Sequence, residues 1–295
     1  MSLPNPAENQ SFCRVAVLEG GFFECPESLL IKDAQRGARR RMPILCFLID
    51  HSTTHKKILV DCGLRKDLHS YGVPAIDSLI HRSPLRYTVP KSCLEALAEG
   101  VVTPDQIDVV FITHCHFDHV GNAPSFLTSQ FVVGGDTREL FEQAYPEDPL
   151  SLYADGILPK DRTIYIDDWA PLGPFPRTRD FFGDGSLYLV DAPGHLPGHM
   201  NVLARTSADG AWIYLAGDSC YHSKVSTGEA RIAKGTPWDP NFCIHTNKGN
   251  TEETLQRIQE FSKLPRTQVI FSHDLRWYEK NNGGTAFWPG TIESV

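Results

Sequence analysis

The chain has 295 residues, 41% of them hydrophobic, enough to bury a substantial core in one large α/β unit or two small domains. Lysine and arginine number 28 against 36 aspartates and glutamates, a formal net charge of −8, which leaves no global positive field to gather phosphate backbones or anionic lipid. Nucleic acid and membrane are therefore set aside as partners. Consistent with this, no segment reaches the roughly 18 apolar residues of a bilayer span, and "MSLPNPAENQSF" lacks the features of a secretion signal.

In chain order, "RVAVLEGGFF" predicts a strand entering a turn, and "ILCFLID-HSTTHKK-ILVDCG" a β-hairpin whose polar loop separates two apolar runs. The basic residues Arg36, Arg39, Arg40 and Arg41 that precede the hairpin read as a solvated loop. "KSCLEALAEG" has apolar residues at helical spacing and a glycine stop; "TPDQID" then turns into the apolar run "VVFIT". "FVVGG" followed by "DTRELFEQAY" predicts a strand and a helix, with Asp136 as N-cap.

From Pro146 to about Gly185 the chain is rich in Pro, Gly, Asp and aromatics, among them Trp169, Phe175, Phe181 and Phe182. Little periodicity is present, so 146–185 reads as a loop-rich insertion, either a surface excursion or a lid. Strands resume with "SLYLVDAPGH", "NVLART" and "AWIYLAGD", followed by the helix "TEETLQRIQEF" and a final strand "QVIFSHD". Alternation of strands and helices over both halves gives an α/β class, read as one domain over 1–295. Eight cysteines scattered without a CxxC pair predict buried free thiols in a reducing, cytoplasmic setting.

The chemistry gathers at strand ends. "ITHCHFDHVGN" carries His114, His116, Asp118 and His119 just past an apolar strand. Residues two apart in extended backbone point to the same side, so His114 and His116 could share one metal and Asp118 and His119 a second. His195 and His199 lie in "DAPGHLPGHMN", Asp218 closes "WIYLAGD" and His273 closes "VIFSHD". These strands deliver His or Asp at their C-terminal ends, where an open sheet collects its site.

HxHxDH, then GHxPGH, then a strand ending in GD and another ending in SH: this series resembles the metallo-β-lactamase superfamily over nearly the whole chain. The resemblance implies an αββα sandwich, two mixed sheets flanked by helices. It also implies two divalent ions, zinc foremost with iron and manganese as alternatives. By the same resemblance His114, His116 and His199 serve the first ion, Asp118, His119 and His273 the second, and Asp218 bridges them. His195 is then structural, and Asp61 in "LVDCG" braces the site. Paired cations lower the pKa of a shared water to near 7, which gives a hydroxide nucleophile for an acyl bond.

Tyr221, three residues after Asp218 in "GDSCYH", is similar to the tyrosine of N-acyl homoserine lactonases that bonds the lactone oxygens. On this resemblance the protein opens a small cyclic ester, with Asp118 relaying a proton and Tyr221 orienting the carbonyl. The alternative is a lactamase acting on a cyclic amide or carbamate, such as a γ-lactam or a benzoxazolinone. A glyoxalase II-like thioester hydrolase fits less well, since only 22 residues follow His273. A non-catalytic binding protein fits least, because all seven ligand positions are filled. A homodimer is compatible with the sequence. Trp238, Phe242, Trp277 and Tyr278 are candidates for an apolar substrate wall.

Overall fold

In the computed structural model, which describes residues 3–295, the first long apolar run is a strand whose alternate side chains enter different cores. Val15 and Val17 of β1 (Cys13–Pro26) join one cluster with Leu45, Phe47 and Ile49 of β2 (Arg39–His51), while Ala16 and Leu18 join another with Cys46 and Leu48. The two-residue period of a strand makes this division automatic. It also means that each sheet is covered on both faces.

The first sheet continues with β3 (Lys57–Val60), then after helix α1 (Pro74–Arg82) comes β4 (Arg86–Thr88), and after α2 (Cys93–Glu99) comes β5 (Val109–Phe111). A single turn of helix, α3 (Phe117–Val120), precedes β6 (Gln130–Gly134) and β7 (Thr163–Ile166). Among the described residues the order is β4-β1-β2-β3-β5-β6-β7, antiparallel through β3 and parallel from β3 to β7.

The second sheet holds β8 (Ala170–Leu172), β9 (Phe175–Asp180), β10 (Leu187–Asp191), β11 (Met200–Arg205), β12 (Trp212–Leu215) and, after α4 (Ser223–Ser226) and α5 (Lys248–Phe261), β13 (Thr267–Ile270). Its order is β13-β12-β11-β10-β9-β8, antiparallel except for the parallel pair β12 and β13. Helix α6 (Leu275–Asn281) follows.

Leu187, Leu189, Ile213 and Leu215 face β1 and β2 in the core between the sheets, while Trp212 and Tyr214 turn outward onto Leu255, Ile258 and Phe261 of α5. On the opposite outer face Ala96 and Leu97 of α2 cover Cys46, Leu48 and Val110. The layers are helix, sheet, sheet, helix, as the motifs implied. All eight cysteines are free, seven of them buried, and no helix among the described residues is long and apolar enough to cross a membrane.

Three local expectations are corrected, the first being that Arg39, Arg40 and Arg41 open β2 and pair with β1 instead of lying in a loop. "DTRELFEQAY" forms a 3-10 helix, Gly135–Phe141, without a side-chain cap, so Asp136 is not its N-cap. Arg138 explains the tight winding, since its guanidinium reaches the Gly135 carbonyl and grips both oxygens of Asp167, at 2.9 Å each. The span 146–185 is also more regular than a loop: β7 closes the first sheet within it and β8 and β9 open the second. Those strands are short and partly exposed, which is why they lack a readable alternation. Trp169, Phe181 and Phe182 pack against the core between the sheets.

A backbone contact fixes β1 beside the turn that follows β3. β1 is irregular between Glu19 and Phe22, and there Gly20 lies against Gly63, which sits at φ +65°; a Cβ on Gly63 would come 2.4 Å from the Gly20 Cα. Neither glycine tolerates a side chain, and Gly63 also needs its left-handed backbone. Gly63→Ala is expected to lower stability by about 2 kcal/mol or more, read as the shift in a urea unfolding curve. A wild-type curve would show that the contact is not close.

Candidate metal centre

Five strands stop at one edge, and the residues just beyond them fill a single buried space. β3 hands on to Asp61, β5 to His114, His116, Asp118 and His119, β10 to His195, β12 to Asp218 and Tyr221, and β13 to His273. Strand carboxyl ends leave the backbone free to turn and side chains free to converge. Asp61 pays for its place with a left-handed φ of 62°, a conformation uncommon outside glycine and typical of constrained sites.

Asp218 stands in the middle. Its Oδ1 lies 3.2 Å from Nε2 of His119, and its Oδ2 lies 3.2 Å from Nε2 of His273 and 3.7 Å from Nε2 of both His114 and His195. On one side Nε2 of His114 is 2.9 Å from Nδ1 of His116, and Nε2 of His195 is 3.2 and 3.1 Å from the same two atoms. On the other, Oδ2 of Asp118 lies 3.9 Å from His119 and 3.7 Å from His273. His114, His116, His195 and Asp218 thus offer one set of donors within 4.8 Å of one another, and Asp118, His119 and His273 offer a second.

Whether these residues fit cations can be tested on their hydrogen bonds. Nε2 of His119, Nε2 of His273 and Oδ1 of Asp218 are buried without a partner, although they crowd the same point. Orphaned buried polar atoms cost about 1–3 kcal/mol each, so nature rarely clusters them without a ligand to share. The donors are imidazoles and carboxylates, the set that suits zinc, iron or manganese. The residues fit two divalent ions with Asp218 between them.

Three of the imidazoles are aimed by a second contact. Nδ1 of His119 lies 2.8 Å from Asp61, whose carboxylate also accepts the Thr113 amide and hydroxyl at 2.8 Å each; Nδ1 of His273 donates to the Pro43 carbonyl at 2.8 Å, and Nδ1 of His114 lies 3.1 Å from the Thr113 hydroxyl. Such contacts set the tautomer and the ring plane of a metal-bound histidine. Asp61 holds Thr113 and His119 in place, as the resemblance implied.

The GHLPGH motif is where sequence and structure part. His199 does not join the first set: its Nδ1 donates to the Ala192 carbonyl at 3.0 Å, and its Nε2 accepts the Asp218 amide at 3.0 Å. Both nitrogens are spent, and withdrawing Nε2 would strand a buried N–H. His195 takes the open position instead. Its outward Nδ1 lies 3.2 Å from Nδ1 of His245, a 3% exposed residue that sequence reasoning missed because "FCIHTN" belongs to no recognisable motif. Nothing local distinguishes two histidines that each follow a glycine.

Electrostatics divide the cluster. Burial, then the neighbouring His119, holds His114 well below the ordinary imidazole range; burial, then His116, does the same to His195; and burial pushes His245 down to about 3. His119 and His273 go the other way: burial opposes their protonation, but Asp218 foremost overcomes it and raises both. Burial likewise works against the Asp218 charge, and His119, His273 and His114 hold its carboxyl well below the usual range. Divalent ions would replace those protons as countercharge.

Tyr221 donates to Oδ2 of Asp218 at 2.5 Å and stacks on His273, ring centroids 5.0 Å apart. Burial, then Asp218 and Asp118, keeps its phenol protonated far above the ordinary range. Tyr221, His116 and Asp118 line a cavity of about 290 Å³, otherwise walled by apolar and aromatic side chains including Phe23, Tyr87, Phe117, Leu152, Trp238 and Phe242. Trp238 and Phe242 belong to the wall as anticipated; Trp277 and Tyr278 pack against the core between the sheets. Cys115 and Cys220 are buried in packed clusters.

With this fold and this edge of histidines and aspartates in view, the family follows: the chain belongs to the metallo-beta-lactamase superfamily, whose profile matches residues 39–211. It is 29% identical to the metallo-hydrolase mfmC of Annulohypoxylon moriforme, over 81% of this chain and 71% of that one. It is 33% identical to the cytochrome P450 monooxygenase mpaDE of Penicillium roqueforti, over 85% of this chain but only 31% of that longer protein. To the gamma-lactamase MBL2 of Gibberella moniliformis it is 32% identical, over 61% of this chain and 75% of that one. Among solved structures, an N-acyl homoserine lactone hydrolase with N-hexanoyl-L-homoserine at its catalytic metal center shares the fold, with a TM-score of 0.69 at 18% identity, covering 95% of this chain and 99% of that one.

The two histidines of the motif are separable by metal analysis. His195→Ala is expected to lose one bound equivalent, whereas His199→Gln keeps the metal of the unaltered protein and loses stability; the opposite pattern would restore His199 as the ligand. His245→Ala should weaken metal retention roughly 10–100-fold in a chelator competition, and His245→Gln, which can still accept a hydrogen bond, should recover part of it. Unchanged retention in both would make His245 a packing residue only.

Proposed function

We propose that this enzyme of the metallo-beta-lactamase superfamily is a dinuclear metal-dependent hydrolase that opens a small cyclic ester, the chain 1–295 acting as one domain. His114, His116 and His195 would hold one ion, Asp118, His119 and His273 the other, with Asp218 between them. The observation that carries the reading is the placement of Tyr221 and Asp118, a phenol donor and a carboxylate, on the floor of an apolar cavity directly over the Asp218 cluster. Two bound divalent ions, zinc foremost, supply a water acidic enough to attack at neutral pH and a Lewis acid beside the carbonyl.

The chain's own residues do the rest. The apolar walls take up the body of a neutral substrate and exclude water, which strengthens every polar contact on the floor. Tyr221, whose hydroxyl donates to Oδ2 of Asp218 in the free enzyme, would turn that donor to the ring carbonyl when substrate binds, where a donor to the developing oxyanion is worth about 10²–10³ in rate. Asp118 accepts the proton released by the attacking water and returns it to the ring oxygen as the C–O bond breaks, so that water and ring ester become a hydroxy acid. A cyclic amide or carbamate would follow the same course with nitrogen as leaving atom, a reading favoured by the likeness to a gamma-lactamase.

The test is turnover by purified, metal-loaded protein, followed by mass spectrometry, on long- and short-chain acyl homoserine lactones, simple γ-lactones, a benzoxazolinone and a β-lactam. Opening of lactones alone supports the ester reading, opening of amides or carbamates alone supports the second, and inertness toward every ring refutes both. Tyr221→Phe should lower kcat about 10²-fold with metal content unchanged. Equal loss of metal and activity would instead make Tyr221 a support for Asp218.

A further inference from the structure

A separate group of metal-capable side chains lies on the outside of the molecule, on the helix that lends Leu79 to the cavity and the turn before it. His69 sits on the helical turn Leu68–Tyr71, and Asp77 and His81 are one helical turn apart on α1. Nδ1 of His69 and Nε2 of His81 approach the same oxygen, Oδ1 of Asp77, at 3.4 and 3.5 Å, and the three donor atoms all lie within 4.8 Å of one another. The two rings stack at 4.8 Å with planes 13° apart.

Those distances are long for hydrogen bonds from imidazole to carboxylate. They match another geometry: ligand atoms about 2.0–2.1 Å from a tetrahedral zinc stand roughly 3.3–3.4 Å apart. The side chains of His69, Asp77 and His81 are 71%, 59% and 45% exposed, so an ion could enter from solvent and complete its shell with water. The turn is itself held, since the Asp67 carboxylate accepts the His69 amide at 3.1 Å. Two imidazoles and one carboxylate select zinc, copper, nickel or cobalt over calcium and magnesium.

We propose that His69, Asp77 and His81 form an exposed site for a divalent transition metal, distinct from the buried cluster, which pins the α1 wall of the cavity. The coupling follows from what each piece touches. α1 lends Leu79 to the cavity wall, and Ser83, Pro84 and Leu85 continue it. The turn is fastened to another piece of the wall, because the Tyr71 hydroxyl donates to the Phe117 carbonyl at 2.9 Å and its ring meets Phe117 edge-on at 5.3 Å. An ion shared between turn and helix therefore ties the α1 side of the wall to the Phe117 side, and the site stands whichever ring the enzyme opens.

The experiment compares the metal-loaded protein with His69→Ala/His81→Ala, all donors of the buried cluster intact. Zinc is titrated against a chromophoric chelator, and amide exchange over 74–82 is measured with and without added zinc. The unaltered protein is expected to take up one equivalent more than the double variant, with exchange in α1 slowed about threefold or more only in the unaltered protein. Asp77→Asn, which keeps the shape and removes the charge, should lose the same equivalent. Equal uptake by the unaltered protein and both variants would overturn the site, and an extra equivalent without slowed exchange would overturn its hold on the wall.

Discussion

Asp218 carries its charge at the junction of the two sheets, 1% exposed, with the Tyr221 hydroxyl donating to it. A carboxylate moved from water into such a place loses several kcal/mol of hydration even after the protein relaxes. Four imidazoles stand within 3.7 Å of it, and each takes its aim from a contact farther out. The rest of the site is organised by the need to surround that charge, and divalent ions are the countercharge that the donor set fits.

The sheets make this concentration of polar groups tolerable. Each contributes strand ends at the same edge, and backbone hydrogen bonds stitch that edge together: across the layers from the Leu45 amide to the Ser272 carbonyl and from the Met200 amide to the Thr113 carbonyl, and within the second sheet from the Ser272 amide to the Gly217 carbonyl, each at 2.9 Å. The segments bearing His114, Asp218 and His273 are thereby tied together in backbone, so the side chains inherit their spacing from the hydrogen-bonded main chain. The apolar walls come from irregular pieces instead, the segments around Leu152, Trp238 and Phe242, which can vary without disturbing the floor.

The outer contacts show how one residue type is put to opposite uses. His199 spends both nitrogens on backbone groups and presents the Asp218 amide in place; His195, four residues earlier, keeps Nε2 free and faces the cluster. Buried hydrogen bonds exclude a residue from ligation as firmly as distance does, because freeing the ring would leave an N–H unpaired.

The sequence by itself determined the family, the layered α/β fold, the HxHxDH segment, Asp218, His273 and the supporting Asp61, because these are short local patterns at the ends of apolar runs and their spacing is set by strand geometry. It also pointed to Tyr221 beside Asp218, through the likeness of GDSCYH to the tyrosine of the lactonases. The choice between His195 and His199, the part played by His245, the strands hidden in 146–185 and the identity of the cavity walls were decided only in three dimensions. Each depends on partners distant in the chain: the Asp218 amide for His199, the His195 ring for His245 and β6 and β10 for the short strands. A sequence pattern records what a residue can do, and long-range packing settles which of its atoms remain free to do it.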